Sequence, residues 1–161
     1  MHTFLGIRRR LLNVTDRLAF LGPTLARIAI GVVFMGTGWG KLHNLDKITS
    51  FFTELGIPAP GFNAVLVSSA ELICGVLILF GLFTRLAAIP LIIVMIVAIV
   101  TAKRSEIGGL SDLLGFVETL YVVLLAWLAT AGPGPFSLDR IVVRTVESAG
   151  RRAHSPAPAH N

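Results

Sequence analysis

Two carboxylates, Glu71 and Glu118, and two cations, Arg27 and Lys41, stand inside or at the edge of long apolar runs of this chain. An ionisable side chain near the middle of a membrane costs about 2.5 to 3.5 kcal/mol on insertion scales, so it faces other protein and takes a partner. The pattern predicts an intramembrane polar cluster, with Glu71 and Glu118 as acids and Lys41 and Arg27 as cations. Two carboxylates held close cannot both ionise and share a proton instead, which suits proton-coupled chemistry. Thr37, Trp39 and His43 lie on the same stretch as Lys41 and are candidate pocket-lining residues. Three readings stay open: acid–base pairs that hold helices in register, a ligand or redox-cofactor pocket, and a proton or ion path. Arg27, about 6 Å along the helix from Pro23, is also placed to snorkel to the headgroups, and Lys41 to act as an interfacial anchor.

Other chemistry is excluded by residue type. The one cysteine, Cys74, forms neither an intramolecular disulfide nor a CxxC motif, and its apolar run reads as burial rather than reactivity. The four histidines, His2, His43, His154 and His160, show no helical i,i+4 pairing, so neither haem nor metal is expected. Gly36-Thr37-Gly38-Trp39-Gly40-Lys41-Leu42 imitates a phosphate loop but lacks its spacing and its final Ser or Thr. Gly36 and Gly40 instead fit small-xxx-small helix packing.

The elements that must position these residues follow from composition. Of 161 residues 54% are hydrophobic and 14% charged, against about 25% charged in soluble domains. That excludes a cytoplasmic enzyme, a disordered linker and a disulfide-stapled secreted module. Four segments approach the roughly 20 apolar residues of a spanning helix: about 23–42, 63–83, 86–102 and 112–131. Gly22-Pro23 starts the first, Asn63 is a candidate N-cap of the second, and Gly132-Pro133-Gly134-Pro135 ends the fourth. No segment alternates as a barrel strand would. Spans two and three, joined by Gly81-Leu82-Phe83-Thr84-Arg85, must form an antiparallel hairpin. The expected fold is all-α: an integral membrane bundle of four transmembrane helices over 23–142.

The net charge of +5 reads as topology, with no nucleic-acid partner expected. With the N-terminus inside, the inner side collects Arg8, Arg9, Arg10, Arg17, Arg85, Arg140, Arg144, Arg151 and Arg152. The outer side holds Lys41, Lys47, Lys103 and Arg104. This asymmetry predicts a multi-pass membrane protein with both termini cytoplasmic and basic flanks on anionic lipid. Residues 1–22 read as an amphipathic interfacial helix carrying Phe4, Ile7, Leu11, Val14 and Leu18; its arginines argue against a cleaved signal peptide. Leu45, Ile48, Phe52 and Leu55 form a second, shorter stripe. Residues 143–161 read as a basic cytoplasmic tail, largely disordered.

In order and spacing, several motifs resemble the DoxX family of small bacterial membrane proteins. They are the glycine-rich stretch 36–42, Gly56-Ile57-Pro58-Ala59-Pro60, Glu71-Leu72-Ile73-Cys74-Gly75, Gly81-Leu82-Phe83-Thr84-Arg85-Leu86-Ala87-Ala88, and the run from Gly132 to Asp139. The resemblance implies a four-helix membrane protein related to the membrane subunit of thiosulfate:quinone oxidoreductase. It also implies a role in a redox complex for thiol, sulfur or oxidative stress. Arg27, Lys41, Glu71 and Glu118 match recurrent polar positions of that family, which carries no settled catalytic assignment. The expectation is a quinone-linked membrane component with no intrinsic cofactor. It is not catalytic alone, because its electrons must come from a separate soluble or membrane redox protein. The alternatives are a non-enzymatic scaffold or assembly factor and, third, a small-solute transporter, for which the paired broken helices are missing. Homo-oligomerisation is compatible with either.

Overall fold

The computed structural model describes residues 21–132, 134 and 137–139. The interfacial helix expected over 1–22 (except its last two residues) and the tail expected over 143–161 lie outside the described residues. The described chain is helical, with no strand. Helix α1 is Leu21–Leu42, α2 Leu45–Glu54, α3 Pro60–Phe80 and α4 Thr84–Thr101. A single 3-10 turn, Arg104–Glu106, leads to α5, Leu110–Gly115, and α6, Val117–Ala131. Helices α1, α3 and α4 are long and apolar enough to cross a membrane, and α6 is apolar but shorter.

Glycine sets the closest packing. A Cβ on Gly31 would strike the Leu79 backbone, one on Gly38 the backbone of Leu72 and Ser68, and one on Gly75 the backbone of Phe34 and Met35. Each contact steps down α3 as it steps up α1, so the two helices run antiparallel with their backbones nearly touching. The glycines predicted to pack, Gly36 and Gly40, do not: nothing lies within 4 Å of a Cβ at either. They fall on the opposite face of α1, because residues two apart on a helix point about 200° apart.

A core of Ile30, Phe34, Cys74, Ile78, Ala88, Leu91, Leu125 and Leu128 joins α1, α3, α4 and α6. Outside it the surface stays apolar: Leu66, Ile73, Ile89, Ile93, Val100 and Val123 are each about half exposed. An oily exterior around a thin core is what lipid solvates, so this is a membrane-embedded helical bundle in contact with lipid.

Helix α3 begins at Pro60, earlier than the predicted Asn63, because proline suits the first turn. Asn63 sits inside that turn and its Nδ2 donates to the Pro58 carbonyl at 2.6 Å. The helix ends at Phe80 rather than Phe83. Left-handed Gly81 (φ 69°) donates to Ile78, and Leu82 donates to Leu77, a Schellman closure. Phe83 is also left-handed (φ 50°), and its N–H is held by Asp139 Oδ1 at 2.8 Å. The Asp139 N–H donates in turn to the Gly81 carbonyl, so residue 139 clasps the α3–α4 turn.

The fourth span, expected as one helix over 112–131, is broken. Gly115 closes α5, Phe116 is extended (ψ 139°), and α6 restarts at Val117. The Thr119 hydroxyl donates to the freed Leu113 carbonyl at 2.6 Å, so the interruption is satisfied internally.

Candidate functional site

Lys41 stands in the last turn of α1 and Glu71 near the middle of α3, about 16 Å from its start. The tight α1–α3 register brings them together: Lys41 Nζ donates to Glu71 Oε1 at 2.6 Å. Glu71 is buried to 1% exposure, whereas Lys41 keeps about a third of its surface. The second carboxylate oxygen, Glu71 Oε2, is sealed and has no hydrogen-bond partner among the described residues. Removing one partner of a buried pair strands the other charge at about 3 to 5 kcal/mol.

The pair forms the polar end of a cavity of about 590 Å³, within the roughly 300–1,000 Å³ of small-molecule sites. Asn63 and Thr101 add two further polar side chains to the lining, and the rest of it is apolar. Ile48, Phe51, Phe52 and Leu55 come from α2 and its end, Leu66, Val67 and Ala70 from α3, and Pro90, Ile93, Val94, Met95, Val97 and Ala98 from α4. Phe51, Leu66, Ile93 and Val97 are 45–56% exposed, and the last three lie on membrane-crossing helices, so the mouth opens sideways onto lipid. The α2 stripe contributes Ile48, Phe52 and Leu55 to the lining of this cavity.

The other candidates lie elsewhere. Arg27 is buried at 5%, packed against Gly81 and Ser137, about 21 Å along α1 from Lys41. It neither joins the Lys41–Glu71 pair nor snorkels, because its buried face turns toward the clasped α3–α4 turn. Glu118 is half-buried in the first turn of α6, just beyond the helix break. There the partial positive charge of the helix start suits a carboxylate. Neither the Lys41–Glu71 nor the Lys103–Glu106 ion pair includes it. The predicted four-residue cluster therefore reduces to one pair.

None of the expected lining residues faces the cavity. Trp39 is 59% exposed and packs at a tilt against His43, ring centroids 4.3 Å apart, while His43 Nδ1 donates to the Trp39 carbonyl. Thr37 is exposed and bonds back to the Phe34 carbonyl. Periodicity was the available signal. Arg27, Ile30, Gly31, Phe34, Gly38 and Lys41 recur at spacings of three and four and form the inward face of α1; residues 37, 39 and 43 fall off it. The contribution of α4 carries no comparable signal, since that helix is apolar all round.

Comparison with known proteins agrees with the architecture. The profile of the DoxX family matches residues 22–104. The Mycobacterium tuberculosis membrane protein Rv3486 is 36% identical over 137 residues, covering 78% of this chain and 84% of the relative. A Bacillus subtilis protein named "Putative oxidoreductase CatD" is 32% identical over 77% of this chain and 89% of its own length. The Escherichia coli inner membrane protein YqjF is 30% identical over 78% of this chain and 95% of its own length. No solved structure matches.

Proposed function

Because the chain belongs to the DoxX family, we propose that this membrane protein is the lipid-embedded, quinone-binding component of a redox complex. The observation that carries the reading is the buried Lys41–Glu71 pair at the end of an apolar cavity that opens to lipid. A quinone is an apolar tail with a polar ring, and it reaches its site through the bilayer. Lys41 offers a donor to a ring oxygen, and Glu71 offers a proton station. The name of CatD points toward oxidoreductase chemistry for that relative. In this reading the chain sits in the plasma membrane with both termini cytoplasmic, and the cavity lies in the outer half. The electrons come from a partner protein.

Purified protein in nanodiscs, titrated with a short-chain benzoquinone and its quinol, should bind at least one of them. Ala98→Phe, which fills the cavity from α4, should weaken that binding tenfold or more without changing elution or helicity. Binding of neither form would end the quinone reading. A second reading has its own support: the Lys41–Glu71 bond ties together α1 and α3, whose backbones pack most closely. On that scaffold reading, Lys41→Met lowers recovery of a partner complex and leaves quinone binding unchanged.

A further inference from the structure

The cavity carries polar groups at two levels. Besides the Lys41–Glu71 pair, Asn63 and Thr101 line it. Helices α3 and α4 form an antiparallel hairpin, so residues equally far from its turn lie side by side. Asn63 stands 17 residues before Phe80, the end of α3, and Thr101 stands 17 residues after Thr84, the start of α4. The two therefore share one level, at the open end of the hairpin. Glu71 lies eight residues further along α3 than Asn63, about 12 Å down its axis. Between the two levels the lining is apolar: Leu66, Val67 and Ala70 on α3, and Val94, Val97 and Ala98 on α4.

Hydrogen-bonding capacity is free at both ends. Lys41 has three N–H donors and gives one of them to Glu71. The Asn63 amide has two N–H donors and one carbonyl oxygen. One N–H goes to the Pro58 carbonyl at 2.6 Å, which holds the amide in place and leaves the other N–H and Oδ1 to spare. The Thr101 hydroxyl donates to the Val97 carbonyl and retains its capacity to accept.

On the reading that a quinone occupies this cavity, we propose that Asn63 is the ligand's second contact. The ring lies along the helices, with one oxygen accepting from Lys41 Nζ and the opposite oxygen from Asn63 Nδ2. A six-membered ring with oxygens on opposite carbons, and a hydrogen bond of about 2.9 Å at each end, extends roughly 11 Å, which matches the spacing of the two levels. A tail on such a ring projects across this axis and leaves through the sideways mouth at Leu66, Ile93 and Val97. The double grip selects rings whose two oxygens stand opposite each other over rings that carry one oxygen. Because an amide both donates and accepts, the Asn63 end serves a carbonyl and a hydroxyl alike.

The experiment titrates wild-type protein and Asn63→Leu, both in nanodiscs, by calorimetry with two ligands. One is a short-chain benzoquinone; the other is the matching dienone, in which a dimethyl-substituted carbon replaces the second carbonyl. The wild type should bind the quinone tighter than the dienone by about fivefold or more, the factor that one added neutral hydrogen bond supplies. In Asn63→Leu, a change of similar volume, quinone binding should fall by that factor and dienone binding should stay as it was. Equal binding of the two ligands by the wild type, undiminished quinone binding by Asn63→Leu, or equal weakening of both ligands overturns the inference and leaves the quinone site standing. Binding of neither quinone nor quinol instead removes the proposed function. A measurement independent of any variant is the infrared spectrum of the bound quinone, isotopically labelled at one carbonyl carbon and then at the other. Both carbonyl bands should lie below their frequencies in protein-free nanodiscs, and one band left unmoved overturns the inference.

Discussion

Glu71 is the residue on which both stability and recognition turn, since its carboxylate is fully buried and one of its two oxygens is bonded by a single lysine. Lys41→Met should therefore cost about 3 kcal/mol, the lower end for a broken buried pair because Lys41 is partly exposed. Lys41→Met/Glu71→Gln should recover at least half of that loss. Thermal unfolding of these two variants and of Glu71→Gln in one detergent gives the coupling, and strictly additive losses would show that the bond contributes nothing. These two residues were legible in the sequence because charge inside an apolar run announces a partner. Which charges meet was not legible. Partnership depends on the axial register of α1 against α3, and that is fixed by Gly31, Gly38 and Gly75 rather than by the charges themselves.

At the scale of elements, glycine position decides more than glycine number. Gly38→Ala and Gly75→Ala drive a methyl into the opposing backbone and should each destabilise by about 2 kcal/mol or more. Gly36→Ala and Gly40→Ala meet open space and should be neutral or raise stability by up to about 1 kcal/mol through helix propensity. Unfolding midpoints of the four single variants test the contrast, and equal losses in both sets would refute the α1–α3 register. The hydrophobic runs of α1, α3 and α4 were readable from composition alone. The break between α5 and α6 was not, because a lone glycine such as Gly115 costs a helix only about 1 kcal/mol and many helices absorb it. The role of α2 was half readable. Its Ile48, Phe52 and Leu55 stripe was evident in the sequence, but a stripe does not say whether lipid or a cavity wall receives it.

For the whole molecule, the distribution of Lys and Arg and the position of the cavity make one joint prediction. With both termini cytoplasmic, the Lys41–Glu71 end faces the outer leaflet. Cysteines introduced at Lys47 and Arg104 should then react with a membrane-impermeant maleimide added to intact cells, and one introduced at Arg85 should not. The reverse labelling pattern would invert the topology and move the cavity to the inner leaflet. Native Cys74 is buried at 8% exposure in the core and should stay silent in this assay until the protein is denatured.

The interruption at Phe116 also has a consequence for the surrounding bilayer. Helix α6 has 15 residues, about 22 Å at 1.5 Å per residue, whereas the hydrocarbon layer is about 30 Å thick. Where the break at Phe116 turns α5 away from the axis of α6, this corner of the bundle is shorter than its solvent, a hydrophobic mismatch that lipid relieves by thinning locally at a fraction of a kcal/mol per Å. The protein should accordingly unfold at a higher temperature in nanodiscs of shorter-chain lipid than in those of long-chain lipid. Within a cell it should collect where the membrane is thin, so that membrane thickness itself becomes a determinant of where the cavity meets its ligand.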